Sequence, residues 1–266
     1  MKQTIGFIGC GKMAQAMIGG MLSEIEPSKI IASATSKETL QKVEEQFHIK
    51  TTLHNNEVAS NSDILFLAVP PHNYTTVIQA IRSNILPDAI IVTIAAGITM
   101  TDVEKAFAKK VKVVRTMPNT PSLIQEGMSA MCANEQVTVE ELKSVKHLFE
   151  SFGKVEIIRE EQMDAIPAIS GSSPAYVYMM IEAMADGGVK QGLSRNQAYR
   201  LASQAVLGAA KMVLETGKHP GELKDQVCSP GGATIAAVSE LEQQGFRGAV
   251  QAAMEKCTTR VKQLGE

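Results

Sequence analysis

The feature that most constrains the fold is a glycine motif near the amino terminus, in the stretch TIGFIGCGKMA. Gly9, Gly11 and Ala14 form the pattern Gly-x-Gly-x-x-Ala, which follows an apolar run and precedes helical spacing. In that setting the glycines let backbone N–H groups approach a pyrophosphate at the positive end of a helix. A tight turn without a ligand is the alternative. We expect a strand, a dinucleotide-binding turn and a helix.

Apolar runs and helical patterns continue to alternate through the first part of the chain. Further strands are predicted at 29–33, 63–69, 89–95 and 112–117. The run DILFLAV is apolar throughout, as a strand covered on both faces is. Thr101 and Glu104 have the spacing of a capping box and predict a helix start. This alternation predicts βαβ units and a parallel sheet.

Strand patterns stop near residue 163, and helical patterns replace them. Helices are predicted at 173–189 and 195–217, the second introduced by a capping box of Ser194 and Gln197, and two more follow residue 233. We therefore expect a dinucleotide-binding domain over 1–162 and a helical domain over 163–266. The predicted helices are apolar on more than one face. A bundle packed on the first domain would bury them, but we favour burial by a second subunit.

Composition excludes several classes of protein. The 266 residues are 44% hydrophobic and 20% charged, with a net charge of −2, so we expect no nucleic-acid or membrane partner. No apolar run reaches the roughly 18 residues of a membrane span. Gly9, Gly11 and Lys12 interrupt the first apolar run, which argues against a signal peptide and favours a cytoplasmic protein. The cysteine and histidine spacings suit no metal site.

The end of the second predicted strand indicates which dinucleotide is bound. A site for NAD usually has a carboxylate there, which holds the ribose 2′-OH and repels a 2′-phosphate. The stretch Ser33-Ala34-Thr35-Ser36-Lys37 has three hydroxyls and a cation instead. NADP(H) is therefore preferred. Ser36 could simply cap a helix, which is compatible with either NAD(H) or NADP(H).

Loops rich in small residues and hydroxyls supply the remaining candidates. Turns at 68–73, 95–98 and 115–122 follow predicted strands, where ligands bind in such sheets. The stretches AISGSSPAYV and VCSPGGATIAAV open helices in the second part. A helix start suits a carboxylate, and Ser229 and Thr234 add hydroxyl donors beside the glycine turn. An ordinary helix start is the alternative for the second stretch.

Four stretches, GFIGCGKMA, RTMPNTP, SGSSPAYVYMMIEAMADGGV and HPGELKDQVCSPGGATI, resemble in order those of pyrroline-5-carboxylate reductases, which catalyse the last step of proline biosynthesis. The resemblance covers nearly the whole chain. It implies an α/β, Rossmann-like amino-terminal domain with a parallel sheet, followed by an all-helical carboxy-terminal dimerisation domain. In that family the helical domains of two subunits interlock, the active site lies at their junction, and dimers commonly assemble further into decamers.

The resemblance also implies roles for individual residues. The cofactor-binding positions are Gly9, Cys10, Gly11, Lys12, Met13, Ala14, Ala34, Thr35, Ser36, Asn55, Ala68, Val69, Pro70, Ala95, Ala96, Gly97 and Asn119. The substrate-binding positions are Ser172, Gly231, Gly232, Ala233 and Thr234, and the catalytic ones are Thr234 and Ser229. Thr234 corresponds to the hydroxyl that hydrogen-bonds the imine nitrogen, and Asn119 lies near the nicotinamide.

The chain departs from the family at two of these positions. Pro70 stands where many members have Lys, and Ala233 where many have Thr. Two other functions remain as alternatives. One is an oxidoreductase of the β-hydroxyacid dehydrogenase type, although neither Lys190 nor Lys211 lies in the motif of its catalytic lysine. The other is a dinucleotide-binding regulatory paralogue, against which the intact SGSSPAY and SPGGAT stretches argue.

Overall fold

An eight-stranded sheet organises the amino-terminal part of the computed structural model, which describes residues 3–264. Its strands are β1 (Ile5–Ile8), β2 (Ile30–Ser33), β3 (Lys50–Thr52), β4 (Ile64–Leu67), β5 (Ile90–Thr93), β6 (Lys112–Met117), β7 (Gly127–Ala133) and β8 (Gly153–Ile157). They lie in the order β3-β2-β1-β4-β5-β6-β7-β8. All neighbouring pairs are parallel except β6 and β7.

Helices connect the strands and then form the carboxy-terminal part. The first group is α1 (Lys12–Met21), α2 (Lys37–Phe47), α3 (Asn55–Ser60), α4 (Tyr74–Ile81), α5 (Met100–Phe107) and α6 (Val139–Glu150). The second group is α7 (Ser173–Lys190), α8 (Arg195–Thr216), α9 (Pro220–Val227), α10 (Ala233–Gln243) and α11 (Phe246–Leu264). None of the helices in residues 3–264 is long and apolar enough to cross a membrane.

Side chains on the two faces of the sheet form two separate core clusters. Along β4, Ile64 and Phe66 join one cluster, whereas Leu65 and Leu67 join the other, as the period of two along a strand requires. All four are completely buried. Both faces of the sheet are therefore covered by helices, which explains why the central strands are continuous apolar runs.

The strand order places a crevice at the carboxyl ends of two particular strands. Through the first six strands the order is 3-2-1-4-5-6, which reverses between β1 and β4. In doubly wound sheets, ligands bind outside the carboxyl ends of the strands at such a reversal. The α/β fold with a mainly parallel sheet, predicted from the alternating pattern, is confirmed.

Three strands, β3, β7 and β8, and four helices, α3, α4, α6 and α9, were not predicted individually. The strand β7 consists of the residues GMSAMCA, which are mostly small or flexible and lack β-branched side chains, while β3 and β8 are edge strands that contain charged residues. The Pro220–Gly221 pair is typical of a loop that interrupts a helix. Pro220 nevertheless occupies the first turn of α9, where proline is tolerated. The Nδ1 atom of His219 accepts the N–H of Gly221 at 3.0 Å and caps this helix.

The predicted capping box of α5 was wrong by two residues. Thr99 and Asp102 form the box: Thr99 Oγ1 accepts the N–H of Asp102 at 3.1 Å, and Asp102 Oδ2 accepts the N–H of Thr99 at 3.0 Å. Thr101 lies inside the helix. Glu104 accepts a hydrogen bond from Asn134 Nδ2 at 3.0 Å and therefore does not cap the helix start. The box of Ser194 and Gln197 at the start of α8 is confirmed.

The chain forms two compact units. One runs from the start of the chain to Ser172 and takes in the chain again from Cys257; the other is Ser173–Lys256. In the second unit the only buried residues are Ala185, Ala198 and Ala202. Many large apolar side chains of this unit are exposed instead: Tyr178, Met179, Met184, Leu193, Tyr199, Leu201, Leu207, Met212, Leu214, Val227, Leu241, Phe246 and Val250. Its helices therefore lack a core of their own.

Candidate active site

The turn after β1 brings two strand ends into close contact. Gly9 has a φ of +93°, which favours glycine, and its N–H donates to the carbonyl oxygen of Ser33 at 3.0 Å. A Cβ built on Gly9 would lie 2.5 Å from the carbonyl oxygen of Ala68. The turn after β1 thus packs against the turn after β4, on opposite sides of the point where strand order reverses.

The start of α1 is open to a ligand. Gly11 is the residue that precedes this helix, no side chain caps the helix, and its first turn has no acidic residue. A Cβ on Gly11 would meet no atom of the chain within 4 Å. Gln15 Nε2 donates to the carbonyl oxygen of Cys10 at 2.8 Å and holds the turn in place. These features fit a pyrophosphate at the positive end of the helix dipole.

The other residues of this turn differ in exposure. Lys12 is exposed, Met13 is half-buried and Ala14 is buried against the core. Cys10 is also buried, and the burial raises the pKa of its thiol to about 11. The thiol is therefore neutral at physiological pH, so the turn presents no negative charge to a phosphate.

The end of β2 offers hydroxyls and no carboxylate. Ala34 is half-buried, while Thr35 and Ser36 are exposed. Ser36 Oγ accepts the N–H of Thr39 at 3.4 Å and caps α2, which is the role that the sequence left as the alternative for Ser36. The hydroxyl of Thr35 has no hydrogen-bond partner among residues 3–264. Glu38 is the first acid after the strand, and it is paired with Lys42 at 2.7 Å.

Asn55 lies beside the end of β2. It begins α3, and its Oδ1 accepts a hydrogen bond from the hydroxyl of Ser33 at 2.7 Å. Ser33 is completely buried and is the last residue of β2. This contact brings Asn55 next to the stretch 34–36. Such proximity is needed if both are to contact the adenosine end of a dinucleotide.

Two turns built from apolar residues follow β4 and β5. The first contains Ala68, Val69 and Pro70; the second contains Ala95, Ala96 and Gly97, whose φ is +77°. Their side chains have no hydrogen-bonding groups. The position of each turn therefore depends on its backbone and on the strand end before it. The Lys common in the family at position 70 is replaced by an exposed proline, so no ammonium group is available at that position.

Asn119 connects three segments of the chain. It follows β6, is buried, and donates from Nδ2 to the carbonyl oxygen of Ser170 at 3.0 Å. Its Oδ1 accepts the N–H of Met128 at 2.9 Å, so both ends of the amide are engaged within the protein. The N–H of Ser172 in turn donates to the carbonyl oxygen of Pro167 at 2.6 Å, and its Oγ lies 3.4 Å from Cys257 Sγ. Asn119 thus fixes the turn that carries Ser172.

The second unit carries the remaining predicted residues in one loop before α10. The N–H of Gly232 donates to the carbonyl oxygen of Ser229 at 3.0 Å, and Gly231 has a φ of +68°. A Cβ on Gly232 would lie 2.3 Å from Ser229 Oγ, so a side chain at position 232 would displace the hydroxyl of Ser229. Ala233 and Thr234 follow as the first residues of the helix and are exposed.

The hydroxyls of this loop are free. No side chain caps α10, and within the described chain neither Ser229 Oγ nor Thr234 Oγ1 has a hydrogen-bond partner. A serine or threonine kept to start a helix usually accepts a backbone N–H. The observed geometry therefore disfavours an ordinary helix start. It leaves backbone N–H groups and two hydroxyls available to an anionic ligand.

Comparison with known proteins identifies the family. Residues 160–264 match the model for pyrroline-5-carboxylate reductase dimerisation, and residues 4–97 match the model for coenzyme F420-dependent NADP oxidoreductases. The chain is 45% identical over 268 residues to the pyrroline-5-carboxylate reductase of Escherichia coli, with 100% of both chains covered. The chain belongs to the pyrroline-5-carboxylate reductase family.

Solved structures of the same family have the same fold over the whole chain. The pyrroline carboxylate reductase of Plasmodium falciparum, solved with NADP bound, has a TM-score of 0.91 at 32% identity, covering 100% of this chain and 99% of that one. The pyrroline-5-carboxylate reductase of Coxiella burnetii has a TM-score of 0.92 at 32% identity, with 100% of both chains covered. The resemblance found in the four sequence stretches is confirmed.

Sequence reasoning missed the contacts that hold the site in place. Gln15, Ser33 and Tyr74 each hydrogen-bond the backbone or an amide at the end of a strand. Polar residues just inside or after an apolar strand indicate such a role, but their partners are 5, 22 and 7 residues away along the chain and cannot be read from local spacing. The described residues contain no cluster of three or more His, Cys, Asp and Glu side chains that could hold a metal ion.

Proposed function

We propose that this protein reduces 1-pyrroline-5-carboxylate to L-proline with NADPH, the last step of proline biosynthesis. The observation that carries the proposal is 45% identity over the whole length of the Escherichia coli pyrroline-5-carboxylate reductase. The free hydroxyls and open helix start of the loop 229–234 support it, because the substrate is a small cyclic imine with a carboxylate.

The amino-terminal unit would hold the cofactor. The open space at Gly11 and the uncapped start of α1 fit the pyrophosphate, and the exposed hydroxyl of Thr35 fits the adenosine ribose and its phosphate. Because no carboxylate lies between Ser33 and Lys37, NADPH is preferred, and NADH remains a second cofactor that the loop can accept. When bound, the nicotinamide supplies the hydride.

The loop before α10 would hold the substrate. Backbone N–H groups of Gly231, Ala233 and Thr234 bind the carboxylate at the positive end of the helix, while the N–H of Gly232 closes the turn onto Ser229. The hydroxyls of Ser229 and Thr234 are free to contact the ring, and Thr234 orients the imine nitrogen. Ser172, on the turn fixed by Asn119, is a further substrate contact.

The reduction requires little acid or base catalysis by the protein. Reduction adds a hydride to the imine carbon, and the nitrogen keeps the proton of the iminium form, which is already electrophilic. The chain accordingly contributes position and orientation rather than a strong acid. Hydroxyls and backbone N–H groups are sufficient to position the substrate. Their hydrogen bonds to the substrate become stronger when charge shifts at the nitrogen during hydride transfer.

Assembly and location are further parts of the proposal. The exposed apolar side chains of Ser173–Lys256 and the match to the dimerisation model support a homodimer, and decamers of such dimers are the larger assembly we expect. Functionally we divide the chain into a cofactor domain, 1–162, and a substrate and dimerisation domain, 163–266. We propose that the enzyme acts in the cytoplasm.

One assay tests the proposed reaction. Purified protein is mixed with NADPH and pyrroline-5-carboxylate, the loss of NADPH absorbance is followed, and the product is identified as proline. A regulatory paralogue would bind NADPH without oxidising it. An enzyme of the β-hydroxyacid dehydrogenase type would oxidise NADPH with an oxo acid but not with the imine. Either result would contradict the proposal.

A further inference from the structure

A buried tyrosine links the ends of two central strands. Tyr74, the first residue of α4, is only 3% exposed. Its hydroxyl donates to the carbonyl oxygen of Leu67 at 2.6 Å and accepts a hydrogen bond from the hydroxyl of Thr93 at 2.9 Å. Leu67 is the last residue of β4, and Thr93 is the last residue of β5. One phenol oxygen therefore bridges neighbouring strands at their carboxyl ends.

The hydrogen bonds continue to a third strand. Thr93 Oγ1 accepts the N–H of Ala95 in a longer contact of 3.5 Å, and its carbonyl oxygen accepts the hydroxyl of Thr116 at 2.9 Å. Thr116 belongs to β6, and both threonines are completely buried. Buried networks in which each polar group has a partner hold their geometry closely. The chain of contacts thus spans the ends of β4, β5 and β6.

The phenol keeps the proton that it donates. Burial raises the pKa of Tyr74 to about 12, despite the opposing hydrogen bond from Thr93. The bond to Leu67 therefore persists across the range of pH in which an enzyme of this kind works. The bridge is a permanent part of the fold and not a group that titrates during turnover.

The segments directly after this bridge are the two apolar turns of the proposed cofactor crevice. Ala68–Pro70 begins one residue after Leu67, and Ala95–Gly97 begins two residues after Thr93. The backbone ladder pairs Leu67 with Thr93, but the turns that follow have no side-chain hydrogen-bonding groups to add to it. The phenol of Tyr74 is the side-chain group that joins the two strand ends from which they emerge.

We propose that Tyr74 is a positioning residue, whose hydroxyl sets the separation of the turns 68–70 and 95–97 and thereby the affinity for the dinucleotide. The proposal rests on the proposed cofactor site. Tyr74 touches neither substrate nor cofactor in this account, and it acts through Leu67 and Thr93. Removal of its hydroxyl should therefore weaken binding of NADPH more than it slows the reaction of bound substrate.

The ring of Tyr74 must be kept in the test, because it packs with Ile78 and Ile81 in a core cluster. Tyr74→Phe removes only the hydroxyl. Thr93→Val removes the other hydroxyl at nearly constant shape, and Thr93→Ser restores it. Ile78→Val is the matched control, since Ile78 lies on the same helix, is 1% exposed and makes no contact with the bridge through a polar atom.

Binding of NADPH is measured by fluorescence titration, which needs no turnover, and KM and kcat are measured separately. We expect Tyr74→Phe and Thr93→Val to raise the Kd and KM for NADPH about fivefold, the effect of one net hydrogen bond. We expect kcat to stay within about twofold, and Thr93→Ser and Ile78→Val to resemble the parent protein.

Three results would overturn the proposal: an unchanged Kd for NADPH in Tyr74→Phe or Thr93→Val, an equal rise in Ile78→Val, or a fall in kcat with an unchanged KM. If Tyr74→Phe does not fold, the comparison of Thr93→Val with Thr93→Ser tests the proposal instead. A parent protein that binds NADPH but fails to reduce pyrroline-5-carboxylate would contradict the proposed reaction alone, since the titration tests the bridge independently.

Discussion

Gly9 and Ala68 approach each other so closely that no side chain fits between them: a Cβ on Gly9 would lie 2.5 Å from the carbonyl oxygen of Ala68. Gly11, only two residues further, faces open space. The first glycine is therefore required by the protein itself. The second is required only if a ligand occupies that space.

The two glycines make a matched pair of variants. Gly9→Ala should lower the melting temperature, because a methyl group would clash at a φ of +93° and strain of this kind costs about 1–3 kcal/mol. Gly11→Ala should fold normally but raise the Kd for NADPH about tenfold or more, equivalent to about 1.4 kcal/mol. Thermal melts and NADPH titrations check both. Unchanged affinity in Gly11→Ala would mean that this turn does not hold the pyrophosphate.

Thr35→Asp should shift the cofactor preference from NADPH toward NADH. The new carboxylate would repel a 2′-phosphate and accept a hydrogen bond from a 2′-OH. The measurement is the ratio of kcat/KM for the two cofactors. Gln46→Glu, which adds the same charge at the far end of α2, is the control and should leave the ratio unchanged. A constant ratio in Thr35→Asp would show that this loop does not recognise the phosphate.

Thr234→Ala should lower kcat/KM about tenfold or more, since a hydrogen bond to the imine nitrogen is lost and its partner is left unpaired. Stability should change little, because the hydroxyl has no partner within the described chain and does not cap α10. Ser239→Ala is the control: it removes a hydroxyl from the same helix, where Ser239 bonds the carbonyl oxygen of Ile235. A lower melting point with unchanged kcat/KM would make Thr234 a structural residue only.

The protein should be a dimer or larger at every concentration at which it is active. The second unit buries three alanines and exposes Met179, Leu214 and Val227 by 66% or more, so it needs a partner to cover its helices. Light scattering should give at least twice the chain mass, and the melting temperature should rise with protein concentration. An active, stable monomer would refute this expectation.

Stability should fall at alkaline pH, and Cys132 should contribute to the fall. Burial raises the pKa of this thiol from 9.0 to about 11, so the folded protein holds the proton more tightly than the unfolded chain. The stabilisation is fully present below pH 9 and is lost as the pH rises toward 11. Denaturation curves of Cys132→Ala should show a shallower dependence on pH over this range, by up to about 1.4 kcal/mol per pH unit.

The half-exposed Cys228 supplies the comparison for that experiment. Cys228→Ala removes a thiol without emptying a core position, and an equal change of slope in both variants would mean that burial of Cys132 is not the cause. An equal slope in Cys132→Ala and the parent would show that the buried thiol does not contribute.

Local patterns predicted the central strands because each is buried on both faces and consists of apolar residues. They failed at β7, where small residues pack in a sheet that only the tertiary fold provides. They also failed at α5, where Thr99 and Asp102 rather than Thr101 and Glu104 form the capping box. Both candidate boxes place an acidic residue three positions after a threonine, and only the backbone path decides between them.

In the candidate site, too, some features could be predicted from local sequence, whereas others depend on the tertiary fold. Gly9, Gly11 and the absence of a carboxylate after β2 are evident from a single chain, because their chemistry is local. The bonds of Asn119 to Ser170 and Met128 join residues 51 and 9 positions apart, so a role in fixing the turn of Ser172 could not be read from sequence. The resemblance placed Asn119 near the nicotinamide, whereas the geometry adds that its amide is already engaged by the protein.

Every strand of the sheet lies between Ile5 and Ile157, whereas the helices without a core of their own come later in the chain. During synthesis the sheet is therefore complete before the later helices leave the ribosome, and domains generally fold as units in that order. The apolar side chains of the later helices then remain exposed, and prone to aggregation, until they pack against a second copy of the chain. We expect folding of this protein to have a second, bimolecular phase, and yield on refolding to be limited by competition between pairing and aggregation.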